Sequence, residues 1–393
     1  MKVGQVTYYN YNYGSLLQCY ATQRILAKQG YDCVLFDKRA ESLKDKLLSR
    51  FLFMIHAAIR CVRHPFFIPV FYKLWTSSRR SSLSAMSEES FEAMNDFIER
   101  EIKIIKCSYG EMKKLASSDE YVAFLSGSDQ IWNGDSFIIN KMYFLRFAPN
   151  KKRIAWGPSF GNASIARYNQ KPYRKYISEY KGLSVREENA VNIIKELTGQ
   201  NAQWVVDPVL MLTRAEWLEA MPDSFDKSGT DDHIFLYFLN KPSEIAVDSI
   251  LKLQKQLGCN IIAFGYKYEE YDKMDKLQYC TGSPWLYLSL INNAKMVLTD
   301  SFHAVAFSLI FHTPFGVFKR NYQHNSDQTS RLDSILKLCS LSSCMITEKN
   351  PITEDFINID FEESDKALSF RREISYEYLK NSIGEGIKND IVP

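Results

Sequence analysis

A chain of 393 residues has the length of about two to three domains and ample volume for two cores. With 46% hydrophobic residues, 24% charged residues and a formal net charge of +3, it reads as an ordinary globular protein, not a dedicated nucleic-acid binder. No stretch offers about 18 uninterrupted apolar residues, which excludes a spanning helix, and eight cysteines without a CxxC pair fit reduced thiols better than a disulfide or zinc framework.

Met1-Lys2 leads straight into an apolar strand at 3–9 and not into a signal peptide, so a cytoplasmic location is expected. A helix over 15–29 carries Leu16, Leu17, Tyr20, Ile25 and Leu26 and closes at Gly30, and the next strand covers 33–36. Residues 43–82 differ in character. Between positions 44 and 80, eight Lys or Arg residues stand against one acid, Asp45, a local charge of +7, interleaved with Phe51, Phe53, Phe66, Phe67, Phe71 and Trp75. Pro65 and Pro69 divide this segment into two short amphipathic pieces. Two readings stay open for it: an insertion packed on its own domain with solvated basic edges, or an interfacial segment on an anionic leaflet, where each cation contributes roughly 1 kcal/mol.

A helix follows Ser87, with Glu88 and Glu89 in its first turn, and runs to about 100. Strands at 121–126 and 153–157 end in Gly127-Ser128-Asp129-Gln130 and Pro158-Ser159-Phe160-Gly161, and a strand at 183–185 runs into Arg186-Glu187-Glu188 and a helix to about 197. A second series begins near 200: strands at 203–206, stopped by Asp207-Pro208, and at 234–239, a helix at 243–257 closed by Gly258, and a strand at 260–264. A helix at 285–292, a strand at 295–299, an apolar helix to 311, a strand at 315–318, a helix at 332–338 and a charged helix at 364–381 complete it. Strands alternating with helices predict an α/β protein with parallel sheets and right-handed crossovers. The expected organisation is two Rossmann-like domains facing a cleft: 1–182, with the basic insertion at 43–82, and 183–362, followed by a helix within 363–393 that returns to the first domain.

Four strand–helix junctions carry the chemistry: Asn10-Tyr11-Asn12-Tyr13-Gly14-Ser15, Gly127-Ser128-Asp129-Gln130, Ser184-Val185-Arg186-Glu187 and Thr299-Asp300-Ser301-Phe302-His303. Asp300 or Ser301 can cap the helix that starts there, which puts His303 in its first turn just past a strand's carboxyl end. Open α/β sheets bind ligands at that edge, and free N–H groups there favour anions. His303 is then an acid beside an anion, or a capping or packing histidine. Arg186 is placed for bidentate phosphate or carboxylate binding, or for an interdomain salt bridge. Asp129 serves an Asx turn or takes a proton or hydrogen bond from a substrate. Glu187 and Glu188 read as helix-start charges.

With these junctions in view the chain resembles the polysaccharide pyruvyl transferase family. The resemblance rests on Asn12-Tyr13-Gly14-Ser15-Leu16-Leu17-Gln18-Cys19-Tyr20-Ala21, Gly127-Ser128-Asp129-Gln130-Ile131-Trp132-Asn133, Ser159-Phe160-Gly161, Ser184-Val185-Arg186-Glu187, Asp207-Pro208-Val209-Leu210-Met211-Leu212, Thr299-Asp300-Ser301-Phe302-His303 and Ser330-Arg331-Leu332, in family order over most of the chain. It implies a GT-B-like fold and transfer of pyruvate from phosphoenolpyruvate onto two hydroxyls of one sugar, as a cyclic ketal, in capsule, exopolysaccharide or cell-wall polysaccharide synthesis. It further implies a donor site at Arg186 and His303 in the second domain. Asn12, Gly14, Ser15, Ser301 and Arg331 are expected to join the donor site, His303 to act as acid and Asp129 as base or hydroxyl acceptor. Trp132 and Asn133 are expected on the acceptor side.

Some family members have an arginine where this chain has Ser301, so Arg331 or a Lys compensates, or donor binding differs; Pro158 also departs from the family pattern. No metal or cofactor is implied beyond phosphoenolpyruvate as co-substrate. A lipid-linked acceptor would give residues 44–80 a docking role at the cytoplasmic leaflet. Two rivals share the scaffold: a GT-B-type glycosyltransferase using a nucleotide-sugar, and a non-catalytic polysaccharide-assembly protein.

Overall fold

A computed structural model describes residues 1–9, 11–39, 54, 55, 58, 61, 62, 86–136, 138–227, 233–320 and 330–388. The basic segment at 44–80 lies outside these apart from the five isolated positions. The first series comprises β1 (Lys2–Val6), α1 (Tyr13–Lys28), β2 (Asp32–Lys38), α2 (Glu88–Glu101), β3 (Ile104–Cys107), α3 (Tyr109–Ser117), β4 (Tyr121–Ser126) and β5 (Arg153–Ala155). Its sheet is parallel with order β3-β2-β1-β4-β5; Val3 pairs with Cys33 on one side and Ala123 on the other. Next come α4 (Arg167–Ile177), β6 (Ser184–Val185), α5 (Glu188–Thr198), β7 (Gln203–Trp204), α6 (Pro208–Met211) and α7 (Arg214–Ala220). Strands β6 and β7 pair only with each other, so the strands expected at 183–185 and 203–206 form a separate parallel ribbon.

The second series comprises β8 (His233–Tyr237), α8 (Glu244–Leu257), β9 (Asn260–Phe264), β10 (Leu277–Cys280), α9 (Pro284–Asn293), β11 (Met296–Thr299), α10 (Phe302–Phe311), β12 (Phe315–Phe318), α11 (Ser330–Leu338) and β13 (Met345–Ile346). It forms a parallel sheet of order β10-β9-β8-β11-β12-β13. Every residue of β8 and β11 is buried, as central parallel strands covered on both faces require. Helix α10 is apolar on all sides and buried throughout, which holds its N-terminus in a fixed position.

Helix α12 (Glu362–Lys388), longer than the 364–381 span expected, runs back to the first sheet. Its Tyr378 hydroxyl donates to Ala155 O at 2.8 Å, its ring stacks on Trp156, and Lys181 Nζ donates to Ser382 O at 2.7 Å. Tyr13 of α1 bridges the two halves, stacking on Tyr287 of α9 with centroids 5.4 Å apart and donating to Gly282 O at 3.0 Å. Val3, Val297 and Leu379 belong to one continuous core.

In each sheet the strand order reverses beside the first strand, between β1 and β4 and between β8 and β11. A doubly wound sheet binds ligands at that reversal. Here the loops after β1 and β4 face the loop after β8 and the N-terminus of α10.

Candidate functional site

Between the two reversals lies a cavity of about 470 Å³, a volume suited to small ligands. The first half of the chain contributes Tyr8, Asn12, Ser15, Asp129, Asn133 and Tyr143 among others, and the second contributes Leu239, Ser301, Phe302, His303, Arg320 and Arg331. Strand β1 stops at Val6, short of the 3–9 expected. Thr7 turns away and donates its hydroxyl to Ser128 O at 3.0 Å, and Tyr8 lines the cavity instead of extending the sheet.

His303 enters through α10. The capping residue Ser301 makes no side-chain cap, and its own N–H donates to Thr299 Oγ1 at 3.0 Å. The N–H groups of Phe302 and His303 follow at this uncapped end beside the cavity. The imidazole fits because position 14 is glycine: a Cβ there would lie 2.2 Å from His303 Cγ and Nδ1. Nε2 has no hydrogen-bond partner among the described residues and stands 3.8 Å from Asp207 Oδ2, beyond hydrogen-bond reach. Burial pushes the imidazole pKa below its ordinary 6.5; Asp207 and Asp129 push it back up, and Arg186 and Arg331 push it down again. The free protein therefore holds a neutral His303 near pH 7.

Arg186 lies under the cavity, outside its lining, with a side chain only 1% exposed. Its Nη1 donates to Asp207, its Nη2 to Asp129 Oδ1 at 3.4 Å and its Nε to Glu187 Oε1 at 3.3 Å, and its plane covers the Phe302 ring at 4.7 Å. In this structure three protein carboxylates engage the Arg186 fork, the salt-bridge alternative expected for it. Asp207, read from sequence as a strand stop and as part of a family motif but given no role in the site, is the hub beneath it. Its Oδ1 accepts the Val209 N–H at 3.1 Å, and its Oδ2 accepts Ser128 Oγ at 2.9 Å and Arg186.

Asp129 lines the cavity in the left-handed conformation, φ +64°. Its carboxylate accepts the Ser15 hydroxyl and, at 2.8 Å, the Gln130 N–H. Burial alone would raise its pKa; Arg186, His303 and the Ser15 hydroxyl more than offset that and hold it at about 2. Such a carboxylate accepts hydrogen bonds well and takes a proton poorly, which favours the hydroxyl-acceptor alternative over the base.

The remaining expected residues separate. Asn12 and Ser15 line the cavity, but the Asn12 carbonyl oxygens are engaged: Oδ1 accepts the Ser15 N–H at 3.2 Å and the backbone O accepts the Leu16 N–H at 3.0 Å. Gly14 is absent from the lining and makes room for His303. Arg331 does line it, with burial, Arg186 and Arg320 lowering its pKa to about 10, so it stays cationic at neutral pH. Asn133 faces the cavity, whereas Trp132 is fully buried, stacks on Phe144 and donates Nε1 to Tyr143 O at 3.3 Å. Trp132 lies outside the lining and anchors the loop that carries Asn133 and Tyr143.

Sequence reading missed Arg320. It follows β12, lines the cavity, and is braced by Asp300, whose Oδ2 lies 3.3 Å from Nε and whose backbone O accepts Nη2 at 3.1 Å. Asp300 in turn accepts the Leu239 and Asn240 N–H groups at 2.8 and 3.2 Å, fixing the loop after β8. Lys319-Arg320 at a strand's carboxyl end was the available signal, the same one that drew attention to Arg186.

Comparison with known proteins agrees with this architecture. The family model described as polysaccharide pyruvyl transferase matches residues 12–322. No curated protein is significantly similar. Among solved structures, Arabidopsis thaliana UGT89C1 complexed with UDP-L-rhamnose is 10% identical with a TM-score of 0.51, covering 98% of each chain; its quercetin complex is 13% identical with a TM-score of 0.50, covering 98% of this chain and 99% of that one. Staphylococcus aureus MnaA with UDP is 9% identical with a TM-score of 0.49, covering 96% of this chain and 91% of that one. The fold is that of the GT-B enzymes.

Proposed function

The chain belongs to the polysaccharide pyruvyl transferase family, and we propose that it moves pyruvate from phosphoenolpyruvate onto two hydroxyls of a sugar during capsule, exopolysaccharide or cell-wall polysaccharide synthesis. The observation that carries this reading is the division of the cavity. His303, Arg320 and Arg331 line it from the second half of the chain, and among the described lining residues Asp129 is the sole carboxylate. Two arginines beside an uncapped helix N-terminus suit a small trianion bearing phosphate and carboxylate. In this reading Arg320 supplies the cation that Ser301 lacks.

The donor switches on its own acid. Its negative charge offsets Arg331 and raises the pKa of the neutral, buried His303, which takes up a proton. His303 then gives that proton to the methylene carbon, leaving an oxocarbenium centre at C2 that the first sugar hydroxyl attacks. That hydroxyl's proton returns to His303. Phosphate departs with the C2–O bond electrons, the second hydroxyl closes the ketal, and its proton leaves with phosphate. Asp129 aligns a hydroxyl through a hydrogen bond, and Arg186 and Asp207 hold Asp129 in place.

The basic segment at 44–80 supports peripheral contact with an anionic leaflet, which a lipid-linked acceptor would need. The decisive experiment measures phosphate release from phosphoenolpyruvate by the purified protein across a panel of galactosides and N-acetylhexosaminides, with mass spectrometry of the acceptor. Sugar-dependent phosphate release with an acceptor heavier by one pyruvate ketal is the expected result. Silence across the panel, with thermal stabilisation by a nucleotide-sugar and none by phosphoenolpyruvate, would replace this reading with a glycosyltransferase.

A further inference from the structure

The residues that the first half of the chain contributes to the cavity have a different chemistry from the arginines of the second. Among them are Tyr8, Asn133, Ser136, Asn140 and Tyr143, all uncharged, with Ile138 and Ile139 between them. Tyr8 is 41% exposed, and its ring meets that of Tyr143 with centroids 5.1 Å apart and planes tilted by 42°. Together they present an aromatic surface to the cavity. Both asparagines use their carbonyl oxygens locally: Asn133 Oδ1 accepts the Asp135 N–H and Asn140 Oδ1 the Met142 N–H, each at 3.0 Å. The NH2 groups of the two side chains remain as donors for something in the cavity.

The loop that carries these residues is tied to the core. Three donors converge on Tyr143 O: Ser126 Oγ at 2.5 Å, Trp132 Nε1 at 3.3 Å and Tyr180 Oη at 3.5 Å. The Trp132–Phe144 stack, 5.5 Å apart with planes 1° from parallel, pins the loop to the core from below. A side-chain array on a fixed loop binds with less ordering cost than a mobile one.

We propose that Tyr8, Tyr143, Asn133, Ser136 and Asn140 form the acceptor subsite, and that it takes an uncharged pyranose ring. The aromatic surface covers the apolar face of the ring, and the amide and hydroxyl groups bond its hydroxyls. Among the described lining residues from the first half of the chain none is a cation that would balance an acid, and the ionised Asp129 repels one, so a uronate is rejected. The ring is thereby presented to Asp129 with its hydroxyls toward His303. This assignment rests on the pyruvyl-transfer reading for its name but not for its geometry.

The test uses saturation-transfer NMR on the full chain with neutral methyl pyranosides (galactoside, glucoside, mannoside and their N-acetyl forms) and methyl glucuronide. Thermal stabilisation by phosphoenolpyruvate is measured in parallel. At least one neutral glycoside should show transfer to its ring protons and the glucuronide none. Tyr8→Ala and Asn140→Asp should each weaken glycoside affinity at least tenfold while the phosphoenolpyruvate shift persists; Asn140→Asp keeps the oxygen that holds Met142. Glycosides that do not bind, that bind these variants normally, or that bind no better than the glucuronide overturn the subsite whatever the donor does. Glycoside binding that these variants abolish, with no phosphoenolpyruvate shift in the parent chain, upholds the subsite and removes the donor reading instead.

Discussion

At the residue scale the site is a balance of charges around His303. Burial leaves the imidazole neutral in the free protein; on the proposed reading a bound trianion reverses this, and donor binding should take up a proton near pH 7 and tighten as the pH falls toward 6.5. Calorimetry in two buffers of different ionisation enthalpy should show that uptake in the parent chain and lose it in His303→Gln. The same variant should lose turnover by roughly 10²- to 10⁴-fold while phosphoenolpyruvate still raises its melting temperature; near-normal turnover would remove His303 as the acid. The stability sign is opposite to the binding sign. A histidine whose folded pKa lies below 6.5 makes the unfolded chain bind more protons, so the free protein loses stability as the pH falls below 6.5, and His303→Gln should flatten that slope. Arg186 behaves differently. Removing it leaves Asp207, Glu187 and Asp129 buried around a missing cation, so Arg186→Gln should cost about 3–5 kcal/mol in denaturant unfolding. A variant of parent stability with only a raised donor KM would return Arg186 to the donor site.

At the element scale, α10 and α1 were visible in the sequence and their meeting was not. The apolar run after His303 and the periodic Leu16, Leu17, Ile25 and Leu26 announced both helices, but nothing local says that Gly14 must lack a side chain because His303 occupies the space. Gly14→Ala forces a Cβ to within 2.2 Å of the imidazole root, where the ring cannot bend aside cheaply. It should cost about 1–3 kcal/mol as overpacking and reduce kcat more than it raises the donor KM, because the acid is displaced; unchanged kcat would show that the helices part easily. Trp132 illustrates the converse. A tryptophan beside Asp129 reads as a sugar platform, yet its neighbours Phe144 and Tyr180 are remote in sequence and bury it completely. Short edge strands such as Ile104–Cys107 and Leu277–Cys280 escaped because four residues carry too little periodicity.

At the scale of the whole molecule, strand–helix alternation was enough to expect two parallel sheets, and three of the four junctions, those after β1, β4 and β11, fell at the edges where the sheets reverse. The facing of the two reversals depends on long-range packing, through Tyr13 on Tyr287 and through α12 against Ala155 and Trp156, that no window of sequence contains. Arg320 joined the site for the same reason: His303 from α10 and two arginines, from the turn after β12 and from α11, meet there. One global feature stays legible only in the sequence. The +7 charge of residues 44–80 leaves the remainder of the chain at −4, so the segment would orient the molecule strongly toward an anionic surface at low salt. At roughly 1 kcal/mol per near-surface cation, deletion of residues 44–80 should abolish cosedimentation with phosphatidylserine-containing vesicles. Turnover on a short soluble sugar should survive, because none of the described cavity residues belongs to that segment. Unchanged cosedimentation would assign the segment to packing within its own domain, and a lipid-linked acceptor would then have to reach the cavity by another route.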